Sequence, residues 1–585
     1  MPKNPQVSVK VPLRSGFDKS HHSLLTTKVG TITPILVDEI MANSKISLSL
    51  ALSASLPPLA VDTFMKTDVR VEAFFVPMRL LYAGWEDYFC QNAPRIYNND
   101  TSSSANPPFF KEIIPIMPTC TLQGWIPADY DPTDPNSHDY DPWGYDAVGP
   151  GSLADYLGIK GVFAPASGYT AFTTFSLSIL PFVAYQLIWD QWYRNTLIQK
   201  SAFSKMTNHP ASTSGKFYKN FLPSRLPSIA IENLTYASVQ GNPANYGSAN
   251  AAAALSSQEW QDAMADFHPF WKLRQRNFGF DYFTNATPDV AFGGDVSVTV
   301  TNGAFTIAQL RAANSIQQFR ERNNLAGARY ADVLAARYGA DLSSGVAQRP
   351  VLLGTASYPV YSRGVSVSGA NAGVTSTNPF SANAGAQVGQ GYASGSDRII
   401  DNFVANEPGY LFVNATLVPK VTYSSGTRRY LRHGLSAITD FANPLLQNVG
   451  NQEIFAWELT DGGVTSGVAA GIFGYTDRYA EYMTIEDQVH GLITEGCDLA
   501  AFASQRYITG QMNFTISSNF LEIPTDYLDN VTVVAGDLSK YGVWMDCDFK
   551  YHVSQPLAEY SIPSLQDPAY EHGQSVTIHR GGFRL

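Results

Sequence analysis

The segment DYDPTDPNSHDYDPWGYD, residues 129–146, concentrates carboxylates in a spacing that could bind a metal ion. Alternating aspartates supply the oxygen ligands that calcium prefers, and the segment begins like a calcium-binding loop. Asp134 stands where such a loop needs its turn glycine, and Tyr140 stands where it needs a bidentate glutamate. A solvated acidic loop is therefore the simpler interpretation. The alternative is a loose calcium site formed by three aspartates of this segment, Asp139, Asp141 and Asp146.

Catalytic motifs with a defined spacing are missing from the sequence. It contains neither GxxxxGK[ST] nor HExxH, and GVSVSG at 364–369 lacks the spacing of the GxSxG nucleophile elbow. The ten histidines form no cluster in the sequence, and the four cysteines have no metal-ligand spacing. Carboxylate pairs for glycoside hydrolysis are defined by distance in space, so the sequence leaves that chemistry open. We predict a protein that is not an enzyme and uses no cofactor.

Two segments mix cations with aromatic rings, as proteins that bind single-stranded nucleic acid do. Residues 268–283 interleave Lys272, Arg274 and Arg276 with six rings, and residues 423–434 carry Arg428, Arg429, Arg432 and His433. Rings of this kind can stack on bases while the cations contact phosphates. The alternative is an ordinary set of core rings beside surface arginines.

The two ends of the chain are basic, whereas the chain as a whole carries a net charge of −11. Residues 1–30 hold five lysines and arginines against one aspartate, and the last ten residues hold two arginines and no acid. The body between them therefore carries −17. Cationic ends can neutralise phosphates without a shaped groove. The residues predicted to contact nucleic acid in this way, termed the DNA-facing residues, are Lys3, Lys10, Arg14, Arg580 and Arg584.

The most aromatic segment, LPFVAYQLIWDQWYR at 180–194, predicts a helix that begins at Pro181. At 100° per residue its rings fall within an arc about 100° wide, and a second apolar patch holds Val183 and Leu187. We interpret it as a core helix, or alternatively as a helix wedged between its own domain and a neighbouring subunit. The five rings are Phe182, Tyr185, Trp189, Trp192 and Tyr193.

Period-two alternation of apolar residues predicts strands near both ends of the chain, and these strands would position the charged and aromatic side chains described above. Strands are predicted at 45–52, 68–77, 295–301, 409–419, 529–536 and 542–553. Further helices are predicted from Thr306, which forms a capping box with Gln309, and over 329–339, ending at Gly339. The fold class is mainly β: one jelly-roll domain over 1–585, an antiparallel sandwich or barrel with long inserted loops and a few helices. A basic arm is predicted at 1–30, and loop insertions at 97–150, 201–266 and 363–397.

Composition suggests a surface that partners cover. Charged residues make up 15% of the chain, against about 25% in ordinary globular proteins. The cysteines imply no disulfide framework, and no signal peptide or apolar stretch long enough to span a bilayer is visible. We therefore expect reduced thiols, folding in a cytosol and no membrane insertion.

Several stretches together resemble the major capsid protein family of the Microviridae, the small icosahedral single-stranded-DNA bacteriophages, of gokushovirus-like or related lineage. They are SGFDKSHHSLLTTKVGTITPILVDEIMANS (15–44), VRVEAFFVPMRLLYAGWEDY (69–88), GSLADYLGI (151–159), the aromatic segment at 180–194, FTIAQLRAANSIQQFRERNNLAGARYADVLAARYG (305–339), QRPVLLG (348–354) and FGYTDRYAEYM (473–483). They follow the family's order along the chain.

The resemblance implies an eight-stranded viral jelly roll that self-assembles as sixty copies into a T=1 shell around circular single-stranded DNA. It further implies a small basic DNA-binding protein, a pilot protein and a host surface receptor as partners. The virion would be assembled in the cytoplasm of a bacterial host, with residues 201–266 as a surface protrusion. The alternatives from other classes are a secreted carbohydrate-binding or carbohydrate-active β-protein and an exported adhesin or outer-membrane β-protein. Both need an export signal.

Overall fold

A nine-stranded antiparallel sheet forms the centre of the molecule. Its strands are β1 Ser15–Asp18, β2 His21–Thr27, β3 Thr33–Ile40, β4 Ser44–Ser55, β5 Thr67–Pro77, β6 Val351–Ser366, β7 Gln387–Ala405, β8 Gly409–Pro419 and β9 Val543–Gln555. The computed structural model describes residues 14–82, 85–89, 95–98, 109–112, 119–121, 123–124, 151–159, 172–173, 177–199, 201, 234–235, 273–288, 307–326, 329–339, 343, 348–366, 387–432, 441–447, 451–460, 471–506, 508, 515–533 and 541–557.

Strands from the two ends of the chain are neighbours in this sheet. The order is β1-β9-β4-β7-β6-β5-β8-β3, and β2 also pairs with β9. β9, the last strand in the sequence, thus lies against three of the first four. Both ends of the chain therefore contribute strands to one sheet.

The sheet curls because β6 changes partner along its length. Residues 351–359 of β6 pair with β5, and residues 360–366 pair with β7. The register shifts between Leu352 and Gly354, where a Cβ on Gly354 would lie 1.9 Å from the backbone oxygen of Ile399. Glycine therefore permits the close approach of two strands where the sheet bends. The result is a curled half-barrel of the jelly-roll β-sandwich class, as the sequence predicted.

Side chains alternate between core and solvent along β9, and the side chains of β8 are buried on both faces. One face of the sheet holds the main core, which includes Phe549 and Tyr551 of β9 and Leu411 of β8. The other face of β5 and β8 presents Phe74 and Phe412 to a second core cluster. That second cluster is built around the aromatic helix.

The aromatic helix comprises an α-helix, Leu180–Ile188, and a π-helical turn, Trp189–Tyr193. The helical hairpin comprises Ile307–Ala326 and Tyr330–Tyr338, and it ends at Gly339 in the left-handed conformation, as predicted. The short α-helices are Met78–Leu81, Trp85–Phe89, Leu153–Tyr156 and Ser518–Leu521. The 3-10 helices are Arg429–Arg432, Pro444–Leu446, Ala456–Glu458, Ala480–Tyr482, Gly491–Ile493, Ala500–Phe502 and Asp529–Val531. Within the described ranges, no helix combines the length and apolarity needed to cross a membrane.

Short strands lie outside the main sheet. They are Arg95–Asn98, Phe109–Glu112, Thr119–Thr121, Gln123–Gly124, Phe172–Thr173, Leu177–Ser178, Leu234–Thr235, Asn451–Phe455 and Ile472–Asp477. The predicted strand at 295–301 and most of the predicted insertions at 97–150 and 201–266 lie outside the described residues.

Three predicted boundaries are corrected. The strand predicted over 529–536 is wrong for its described part, because 529–531 form a 3-10 turn that places Val531 in the core. The basic arm at 1–30 is too long, since β1 and β2 lie at the sheet edge, where polar outward residues obscured their alternation. The insertion at 363–397 is too wide, because β6 continues to Ser366 and β7 begins at Gln387. Glycine and serine weaken the strand signal there, although their small size suits close strand packing.

Candidate functional site

Three rings of the aromatic helix lie inside the chain's own core. Phe182, Tyr185 and Trp189 are each at most 3% exposed. The Tyr185 hydroxyl donates a hydrogen bond to the Ile32 carbonyl (2.7 Å) and accepts one from the Arg274 amide (2.8 Å). Burial raises the pKa of Tyr185 well above its usual value, so this hydroxyl stays protonated. The structure favours the core interpretation for these three residues.

The π-helical turn redirects the last two rings of the helix. The Arg194 amide donates to the Trp189 carbonyl five residues earlier (3.0 Å), which widens the turn and breaks the 100° spacing. Trp192 and Tyr193 are half-buried against Phe74 of β5, at ring-centroid distances of 5.7 and 6.0 Å. The Trp192 indole donates to the Pro350 carbonyl (3.0 Å). For these two rings, a contact with a neighbouring subunit stays a prediction.

The arginines of the first basic–aromatic segment bind groups of the same chain. Arg274 stacks over Trp189 at 4.2 Å and donates to the Gln186 side chain at 2.7 Å. Burial lowers the pKa of Arg274 to about 10. Arg276 makes two hydrogen bonds to the Glu72 carboxylate, at 2.8 and 2.9 Å. Both cations therefore serve packing rather than phosphate contact, whereas Lys272 lies outside the described residues.

The second basic–aromatic segment surrounds a buried carboxylate. Arg429 donates to Glu458 at 3.0 Å and lies 3.6 Å from Glu481, and the Tyr282 hydroxyl donates to Glu458 at 3.1 Å. Burial is the largest effect on Glu458 and raises the pKa of its carboxyl to about 7. Arg432 stacks over Trp457 at 4.6 Å. This cluster also packs the chain against itself.

Of the two remaining basic residues of this segment, the structure describes Arg428 only. Arg428 donates to the Gln488 side chain at 2.8 Å. His433 lies outside the described residues.

An open groove of about 1440 Å³ borders the aromatic helix. Its wall includes Arg70, Arg194, Arg276, Phe280 and Lys420. Three of its cations already form ion pairs with carboxylates of the same chain. The pairs are Arg276 with Glu72 of β5, Arg194 with Asp190 of the aromatic helix, and Lys420 with Asp487. The groove is therefore a mixed-charge surface without a strong preference for anions.

The predicted DNA-facing residues lie mostly beyond the described part of the chain. Arg14 is exposed and donates to the side chain of Asn43 at 3.0 Å. The other four are Lys3, Lys10, Arg580 and Arg584, and they lie outside the described residues. The DNA-facing assignment stays a prediction.

The aspartates predicted as an alternative calcium site are also undescribed: Asp139, Asp141 and Asp146. Among the residues that are described, no group of three or more metal-ligating side chains comes together. Cys547 is buried and Cys497 is exposed, and neither forms a disulfide.

Sequence reasoning did not find the exposed apolar side chains of the helical hairpin. Ile307, Leu310 and Ile316 belong to a series in which an apolar residue recurs every three residues, a spacing that predicted a helix. The structure exposes them to 70%, 50% and 46%. Residues spaced three apart do not stay on one face of a helix that has 3.6 residues per turn. Their gradual rotation around the helix axis was the signal in the sequence that no single face is buried.

Comparisons with known proteins identify a family and two relatives to which the chain is similar. The family described as "Capsid protein (F protein)" matches residues 6–119 and 145–565. The Capsid protein VP1 of Bdellovibrio phage phiMH2K is 24% identical over 583 residues, covering 94% of this chain and 95% of that protein. The Capsid protein VP1 of Chlamydia phage 1 is 24% identical over 291 residues, covering 50% of this chain and 36% of that protein.

Proposed function

Because the chain belongs to the capsid protein (F protein) family, we propose that sixty copies of it assemble into a T=1 icosahedral shell around a circular single-stranded DNA genome. The observation that carries this proposal is the reach of the family match, which includes all nine strands of the curled sheet. The protein is a structural component of the virion, and we propose no reaction for it. Assembly in the cytoplasm of the bacterial host is part of the proposal.

The surface of the subunit supports a role in assembly. Large apolar side chains stand out in several places, among them Ile485 at 83%, Leu445 at 87% and Phe280 at 85% exposure. Burying apolar area at an interface is worth about 25 cal/mol per Å² before the cost of association is subtracted. Many such contacts, each weak alone, would allow misplaced subunits to dissociate and still give a stable closed shell.

The basic ends of the chain supply the proposed contacts with DNA. The five cationic residues proposed for this role, multiplied over sixty copies, give on the order of 300 positive charges facing the genome. The residues proposed for this role are Lys3, Lys10, Arg14, Arg580 and Arg584. The larger number of genome phosphates calls for further cations, which a small basic DNA-binding protein would provide. A pilot protein and a host surface receptor complete the proposed set of partners.

Electron microscopy and nuclease protection test this function together. The full chain is produced in bacteria and purified. One portion is stained for electron microscopy, and a second portion is treated with nuclease before its nucleic acid is extracted. We expect uniform closed particles that contain DNA resistant to the nuclease. Dispersed subunits with no protected DNA would overturn the proposal.

A further inference from the structure

The helical hairpin has little of its surface covered by the rest of the chain. Among the described side chains of residues 307–319, only Ala313 is partly buried; the others are exposed. Phe319 is 50% exposed, in addition to the three aliphatic side chains given above. Most of the stability of a helix in a folded protein comes from packing an apolar face against other elements. This hairpin therefore has apolar surface available for another molecule.

The hairpin is nevertheless fixed to the body of the subunit. Arg329 donates to the carbonyl of Asp190 (3.1 Å) and to that of Arg194 (2.6 Å), where the aromatic helix ends. Between the two helices, Arg337 stacks over the Phe319 ring at 4.7 Å. A pre-oriented surface loses less conformational entropy on binding than a flexible one.

The charge of the hairpin is opposite to that of the rest of the chain. Residues 307–339 contain five arginines and two acidic residues, a net charge of +3. Because the whole chain carries −11, the remainder carries −14. The hairpin is thus complementary to the body of another copy, whereas two hairpins face to face would repel.

We propose that the helical hairpin of one subunit docks on the acidic body of a second copy of this chain. This inference rests on the proposed function, which brings identical copies together. The four exposed apolar side chains offer on the order of 100 Å² each, about half of the roughly 800 Å² that each partner buries in a standard interface. Three of the four are aliphatic and neither stack on bases nor contact phosphates, and the ring of the fourth, Phe319, is already covered on one side by Arg337; the set therefore favours a protein partner over DNA.

The contact is heterologous, because a hairpin meets a different surface on its neighbour. Repeated heterologous contacts close into rings when the rotation between neighbours allows it. Rings of this kind are what the fivefold and threefold axes of an icosahedral shell require.

The test compares two hairpin variants with matched controls in the full-length protein. Leu310→Gln combined with Ile316→Gln removes apolar surface and keeps residues that favour helix formation. Leu24→Gln on β2 is the control, since Leu24 is 72% exposed on the sheet. We expect the double variant to raise the concentration needed for assembly about tenfold or more, with an unchanged melting temperature, while the control assembles normally.

A charge variant tests the same contact independently. If the double variant unfolds, the charge variant alone tests whether the hairpin docks on a second copy. We expect Arg311→Glu to impair assembly, Arg311→Lys to retain it, and Arg363→Glu, an exposed site on β6, to leave it unchanged. Wild-type assembly thresholds in both hairpin variants would overturn the docking proposal. Normal particles that lack protected DNA would also overturn it, because the hairpin would then contact DNA.

The outcome for the wild-type protein separates this inference from the proposed function. Open rings of wild-type subunits that the hairpin variants do not form would support docking and contradict the closed shell. A wild-type protein that stays monomeric would overturn both proposals.

Discussion

At the scale of single residues, buried arginines hold the aromatic helix against the sheet. Arg276 binds Glu72, which lies 204 residues earlier in the sequence, and Arg274 binds Gln186 on the helix. A run of alternating cations and rings was equally compatible with a nucleic-acid site and with core packing. Partners so distant in the sequence cannot be read from local spacing, and the structure was needed to choose between the two.

The burial of Trp189 predicts a loss of subunit stability when its ring is removed. Trp189→Ala should cost about 3–5 kcal/mol of unfolding free energy, because the site is enclosed by core and by Arg274. Urea unfolding of the variant measures this cost. Trp544→Ala on the exposed side of β9, where the ring is 47% exposed, serves as the control and should cost much less. Equal losses in the two variants would contradict the core placement of Trp189.

The buried Glu458 predicts a pH-dependent stability. The pKa of its carboxyl is about 7 in the folded chain because of burial, against 4.5 ordinarily. Between these values the folded chain holds a proton that the unfolded chain has released, so stability falls as the pH rises from about 4.5 to about 7. Glu458→Gln removes this titration, and its urea midpoint should fall less than that of the wild type between about pH 5 and pH 8. The exposed control Asp526→Asn should behave like the wild type; an unchanged pH dependence in Glu458→Gln would refute the assignment.

At the scale of elements, the strands with regular alternation were predictable and the glycine-rich strands were not. The prediction at 409–419 matches β8. The strands β4 and β5 extend their predicted ranges by one to three residues, whereas β9 begins one residue later and ends two residues later than predicted. β6 and β7 pair over glycine and serine, so their stability comes from close strand contact that local propensity does not reveal. The aromatic helix was predicted as regular, and the π-helical turn arises from packing its last rings on β5.

The bend of β6 depends on the small size of Gly354. Gly354→Ala should destabilise the subunit by about 1–3 kcal/mol, because the added methyl group meets the Ile399 carbonyl and both backbones would have to move. Thermal unfolding compares it with Gly16→Ala on β1, where an added Cβ meets nothing within 4 Å. A melting temperature equal to that of the Gly16→Ala control would contradict the proposed cause of the curl.

At the scale of the whole molecule, the fold class and the family could be predicted from the sequence, whereas the contacting surfaces could not. The alternating strands at both chain ends were sufficient to predict the fold class, and the segments that follow the family's order along the chain were sufficient to predict the family. Exposure of the hairpin is set by what the rest of the chain leaves uncovered; the drift of its three-residue spacing hints at that exposure but does not determine it. The proposed DNA-facing residues came from charge counting and stay predictions.

The mass of the assembled particle tests the central claim most directly. Sedimentation of the purified full-length protein should give a single closed species of about 3,800 kDa, sixty times the 63.9 kDa chain. A sedimenting species of one or a few chains, under conditions in which the subunit is folded, would contradict the account.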